Sequence, residues 1–112
     1  VYEIRHYQTL NGRIAYLEWH RKLRDVRAKL AIDARIRRME LGNFGDHKPC
    51  REGVWELRVD VGVGYRVYYA ISRSTVIVLL CGGDKDSQTA DINRACGYWR
   101  RYQGEEDAKR KS

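Results

Sequence analysis

The sequence predicts an α+β domain with the element order β-α-α-β-β-β-α, a small antiparallel meander with its helices packed on one face. Three observations carry this. From Arg13 to Leu41 the chain has no Gly or Pro and is dominated by Leu, Ala, Arg and Lys, which is helix composition. VWELRVD (54–60), YRVYYAI (65–71) and TVIVLLC (75–81) are short β-branched and aromatic runs joined by VGVG and SRS links, which suits consecutive hairpins. A chain of 112 residues with 43% hydrophobic content suits one domain with a small core.

The elements follow in order. YEIRHY (2–7) alternates and is rich in β-formers, so it reads as the first strand. Asn11 and Gly12 mark a turn, and Asn11 is a candidate cap. Two helices follow over 12–23 and 26–41, with Asp25 capping the second. That second helix has two apolar ridges, Val26-Leu30-Ala34 and Ala28-Ile32-Ile36-Met39. Both are expected to serve the core; the alternative is that one receives another protein. Gly42 stands where a C′ glycine ends a helix. GNFGDHKP (42–49) reads as a loop. After the three strands, Asp86 or Ser87 caps a last helix in which Ile92, Ala95, Cys96 and Trp99 share a face. GEEDAKRKS (104–112) reads as a frayed polar tail, leaving 1–103 as the domain.

The chain carries 22 Lys and Arg against 15 Asp and Glu, a net +7, which points to a polyanionic partner. From Arg21 to Glu40, eight cations face three acids, so the polar side of the helix pair is basic. No apolar run is long enough to span a membrane, and no signal-like segment opens the sequence. Because the chain begins with Val1 and not Met, a few native residues are expected to precede it. Cys50, Cys81 and Cys96 are odd in number and widely spaced, as expected of reduced thiols in a cytoplasmic protein. With His47 they would be the only zinc candidates, but no CxxC or HxxxH spacing supports this, and no metal or other cofactor is expected.

Side-chain alternation places the most informative residues. Trp55, Leu57 and Val59 share one face of their strand with Val67, Tyr69 and Ile71 of the next. Glu56, Arg58, Arg66 and Tyr68 then gather on the other face, with Lys85 at its rim in CGGDKDSQ (81–88). Three cations and a tyrosine on an open sheet face suit a phosphodiester backbone and a stacked base. Equally, Arg58 and Arg66 could be paired across the strands with Glu56 and Asp60. RNA carries its own nucleophile in the 2′-hydroxyl, so an enzyme need only align it, stabilise the charged transition state and move protons. Glu56 is the candidate proton acceptor; Tyr68 could serve only with a strongly lowered pKa. No acidic cluster or HExxH marks a metal nuclease.

GNFGDHKPCREGVWELRVDVGVGYRVYY, followed by LLCGGDKDSQTADINRA, resembles the RelE/ParE superfamily of bacterial toxins, and most closely its HigB-like "addiction module killer protein" branch. The linked blocks span residues 42–95. The resemblance implies the toxin of a type II toxin–antitoxin module: an endoribonuclease (mRNA interferase) that cuts mRNA on the ribosome without metal and inhibits translation. It implies a helix-turn-helix antitoxin as partner, contact with operator DNA only through the antitoxin complex, and a toxin–antitoxin heterotetramer as a candidate assembly. Arg66 takes the functional arginine of the GYR motif, Arg58 the basic position one strand earlier, and Lys85 the basic residue after the last strand. The chain departs from the pattern at Val63, where the family has proline, and at Glu56, where RelE-like members carry lysine. Tyr98 and Tyr102 are the candidates for a C-terminal functional tyrosine. Two other functions remain: a ParE-like DNA gyrase inhibitor without nuclease activity, and a non-toxic nucleic-acid-binding corepressor subunit.

Overall fold

The computed structural model describes residues 1–111. It comprises β1 (Glu3–His6), α1 (Ala15–Lys22), α2 (Val26–Glu40), β2 (His47–Arg51), β3 (Val54–Val59), β4 (Tyr65–Ser72), β5 (Val76–Asp84) and α3 (Gln88–Lys111). The five strands form one sheet in the order β1-β5-β4-β3-β2. The α+β class and the β3-β4-β5 antiparallel meander are as expected.

The sheet is larger and more mixed than the sequence indicated. β1 runs parallel to β5. Residues 47–51, the end of the expected loop and beyond, form an antiparallel edge strand on β3. A proline is tolerated there because an edge strand leaves one row of backbone groups outside the ladder. Glu52 and Gly53, at φ 56° and 87°, close this β2–β3 hairpin.

The helix termini follow local chemistry. Asn11 does not cap α1; it accepts a hydrogen bond from Thr9 Oγ1 at 2.5 Å, and the helix starts at Ala15. Asp25 does cap α2, accepting from the Ala28 N–H at 3.1 Å. At the other end Gly42 has φ 97° and donates to Met39 O, while Asn43 donates to Arg38 O, both at 2.9 Å. This paired arrangement is the Schellman motif expected of a C′ glycine.

The helices do not share one face. α1 and α2 cover Leu57, Val59, Val67, Tyr69, Ile77 and Leu79. α3 covers Val54, Tyr68, Ala70, Val78, Leu80 and Cys81 on the opposite side. The glycine pair of CGGDKDSQ follows directly from this sandwich. A Cβ at Gly82 would overlap the Trp19 indole of α1, and a Cβ at Gly83 would overlap the Asp91 carboxylate of α3. Two helices press on adjacent residues of β5 from opposite sides, and only hydrogen fits at both positions.

Two further expectations change. Ala28, Ile32 and Met39 are fully buried, but Val26 and Leu30 are 66% and 65% exposed. Only one ridge of α2 therefore serves the core. The segment read as a frayed tail continues α3 as far as Lys111, and Glu106 on it lies 4.0 Å from Arg5 and 3.8 Å from Arg73. Ala95, Cys96, Trp99 and Tyr102 form the buried stripe of α3, with Ile92 partly buried beside it. Among the described residues no helix is long and apolar enough to cross a membrane.

Candidate nucleic-acid interface

Antiparallel register sets Arg58 directly opposite Arg66, and Arg66 opposite Gly83 on β5. Lys85 follows the end of that strand. Its stem lies over Gly64, whose absent Cβ would stand 2.8 Å from Lys85 Cε. Gly64 also has φ 86°, so the turn itself favours glycine there. Arg58, Arg66 and Lys85 thus meet in one open cleft of about 270 Å³, walled also by Asp46, Val59, Asp60, Gly64 and Tyr65.

The three cations are held differently. Arg58 donates to Asp46 Oδ1 from Nη2 at 2.9 Å and from Nε at 3.2 Å. The Asp46 loop is fixed in turn by Arg35, which donates to Arg58 O at 2.6 Å and to Phe44 O and Asp46 O at 3.1 Å. Burial lowers the Arg35 pKa from its usual value, but the guanidinium stays charged at neutral pH. Arg66 Nε stands 3.2 Å from Glu56 Oε2, with its own side chain only 15% exposed. Lys85 is exposed and forms no ion pair among the described residues. The first two cations are each paired with a carboxylate, whereas Lys85, and among the lining carboxylates Asp60, have no ion-pair partner among the described residues.

Glu56 and Tyr68 do not reach this cleft. Alternation places them on the expected face, but α3 packs on that face and both are 0% exposed. Tyr68 donates to Glu56 Oε2 at 3.3 Å, and Gln88 Nε2 donates to the same oxygen at 2.7 Å. Burial first, then the Glu56 charge, push the Tyr68 pKa far above its ordinary value. A fully covered phenol cannot stack on a base, so the RNA-stacking role expected of Tyr68 is withdrawn. Glu56 is likewise screened from any hydroxyl in the cleft. Neither Tyr98, stacked on Tyr7 with centroids 5.1 Å apart, nor Tyr102, which accepts from Arg5 Nη1 at 2.8 Å, lines the cleft.

The structure adds Asp46, Tyr65, Arg35 and Gln88 to this neighbourhood. Asp46 sits in a stretch that the sequence presents as a plain glycine-containing turn. Arg35 sits among other helix cations and has no distinguishing spacing. Among the described residues no group of three or more His, Cys, Asp or Glu is arranged to hold a metal ion. The three cysteines are free thiols, Cys50 partly buried and the others buried.

Fold and cleft together define a small basic α+β domain with an open pocket lined by three cations and two carboxylates at one end of its sheet. The model of the family described as Phage derived protein Gp49-like (DUF891) matches residues 18–95, and the chain belongs to that family. The family is associated with toxin–antitoxin modules and is related to the RelE/ParE-like toxins. An uncharacterized protein of Haemophilus influenzae is 48% identical over 82 residues, covering 73% of this chain and 83% of its own length.

Proposed function

We propose that this chain is the toxin of a type II toxin–antitoxin module and that it cleaves mRNA on the translating ribosome, in the cytoplasm, without metal. The observation that carries this reading is the convergence of Arg58, Arg66 and Lys85 on one cleft. In the reaction the 2′-oxygen attacks the adjacent phosphorus and the 5′-oxygen leaves. The products are a 2′,3′-cyclic phosphate and a 5′-hydroxyl. Negative charge builds on the non-bridging oxygens, where Arg66 and Lys85 would stabilise it. The nucleophile loses a proton and the leaving oxygen gains one. With Glu56 covered, Asp60 is the cleft carboxylate without an ion pair among the described residues, and it takes the role of proton acceptor in this reading.

The partner in this reading is a helix-turn-helix antitoxin with an acidic segment. The net charge of +7 favours such a segment over the cleft. A complex whose affinity falls with salt fits this.

The test is primer-extension mapping of a reporter mRNA in a reconstituted translation reaction, with and without ribosomes. Cleavage is expected only with ribosomes and with Lys85 and Asp60 intact. Intact mRNA from a preparation that still arrests growth would overturn the nuclease and point to a target such as gyrase.

A further inference from the structure

We propose that Gln88, acting through the buried carboxylate of Glu56, is a positioning residue for Arg66 and links its aim to the start of α3. This rests on the nuclease reading for its functional consequence, but not for its geometry.

Two hydrogen-bond donors and one ion-pair contact converge on one oxygen. Glu56 Oε2 lies 2.7 Å from Gln88 Nε2, 3.2 Å from Arg66 Nε and 3.3 Å from Tyr68 OH. Glu56 Oε1 is buried and accepts no hydrogen bond from any described residue. The carboxylate is therefore anchored through a single oxygen, and Gln88 makes the shortest of the contacts. Arg66 Nε is within ion-pair distance of that oxygen but is not aligned to donate a hydrogen bond to it. Charge, not a directional bond, holds the guanidinium, so its aim follows wherever Oε2 is placed.

The three anchors differ in origin. Tyr68 is the cross-strand partner of Glu56 and moves with the sheet. Gln88 comes from another element, the first turn of α3, and its backbone N–H also donates to Lys85 O at 3.5 Å. One residue thus touches the machinery of two cleft cations: Arg66 through Glu56, and Lys85 through its backbone. Gln88 itself does not line the cleft. Its effect on catalysis passes through Arg66.

The variant Gln88→Met keeps side-chain length and removes the donor. Its single-turnover cleavage rate on programmed ribosomes should fall on the order of 10- to 100-fold, the cost of a misaimed group. Ribosome affinity should stay within about twofold, separating positioning from binding. Hydrogen exchange at Arg66 Nε–H, followed by nitrogen-15 NMR on the free protein, should quicken. Unchanged cleavage with unchanged exchange would overturn the proposal. So would a loss confined to ribosome affinity, which would make Gln88 a binding contact. If the native chain cleaves nothing, the nuclease reading fails, and the exchange measurement alone decides: faster exchange supports the positioning geometry and unchanged exchange sinks it.

Discussion

Arg58 and Arg66 stand directly opposite each other on adjacent antiparallel strands, yet each guanidinium has its own carboxylate, Asp46 for one and Glu56 for the other. Like charges directly opposed in a sheet are destabilising, and two local counter-ions remove that cost. The counter-ions differ in kind. The Asp46 side chain is 52% exposed, whereas that of Glu56 is 0% exposed.

That difference decides how Arg66 must be tested. Its side chain does not stand on an open face, as the sequence indicated, but over a buried carboxylate. Arg66→Ala would strand that charge, and breaking a buried pair costs about 3–5 kcal/mol. We predict a strongly lowered thermal midpoint for Arg66→Ala. The double variant Arg66→Ala/Glu56→Gln should recover most of the stability and none of the cleavage. A single variant as stable as the native chain would show that the buried Glu56 carboxylate does not depend on Arg66.

Asp46 should behave in the opposite way. An exposed pair contributes about 0–1 kcal/mol, so Asp46→Asn should leave thermal unfolding almost unchanged. It frees the Arg58 guanidinium, and low-salt affinity for a single-stranded RNA should rise. Weaker RNA binding would place Asp46 among the groups that contact RNA.

Lys85→Gln should fold normally, because the ammonium is exposed and unpaired among the described residues. A phosphate-contacting lysine contributes one released counter-ion. The log-log salt slope of RNA binding should therefore shrink by about 1. An unchanged slope would remove Lys85 from the phosphate contacts.

Gly82→Ala and Gly83→Ala should both destabilise, by about 1–3 kcal/mol or more, since each added methyl meets a packed helix. Chemical denaturation would measure this. Tolerance at either position would mean that the helices do not clamp β5 from both sides.

The thiols offer a pH test. Burial raises the Cys50 pKa to about 11 and that of Cys81 to about 12. Only thiolate reacts with iodoacetamide, so the native chain should resist alkylation at pH 8 and react once unfolded. The folded state keeps protons that the unfolded chain loses above about pH 8.5. This contribution to stability is complete below that pH and declines as pH rises through the folded values. A thermal midpoint that rises from pH 8.5 to 10 would contradict the burial of these groups.

Much of the fold was legible because it follows from short-range rules. Asp25 and Gly42 bounded α2 through backbone hydrogen bonding that any helix end requires. Period-two alternation named the residues of β3 and β4 that face α1 and α2, among them Leu57, Val59, Val67 and Tyr69. Convergence of Arg58, Arg66 and Lys85 followed from the same alternation plus one hairpin. β2 was missed because HKPCR has strand character only as an edge partner of β3, and its proline disguises it. Tyr68 and Glu56 were placed on the right face and given the wrong environment, since alternation cannot say whether a helix covers that face.

The sequence by itself determined the net charge, both ends of α2, the β3-β4-β5 meander and which strand residues share a side, because these depend on neighbours within a few positions. Only the tertiary structure decided that α3 closes the second face of the sheet. That packing buries Glu56 and Tyr68 beneath the start of α3 while leaving Arg66 at the cleft. Such long-range docking depends on surfaces assembled from distant segments, and it alone separates the cations that can meet a ligand from the carboxylate that aims one of them.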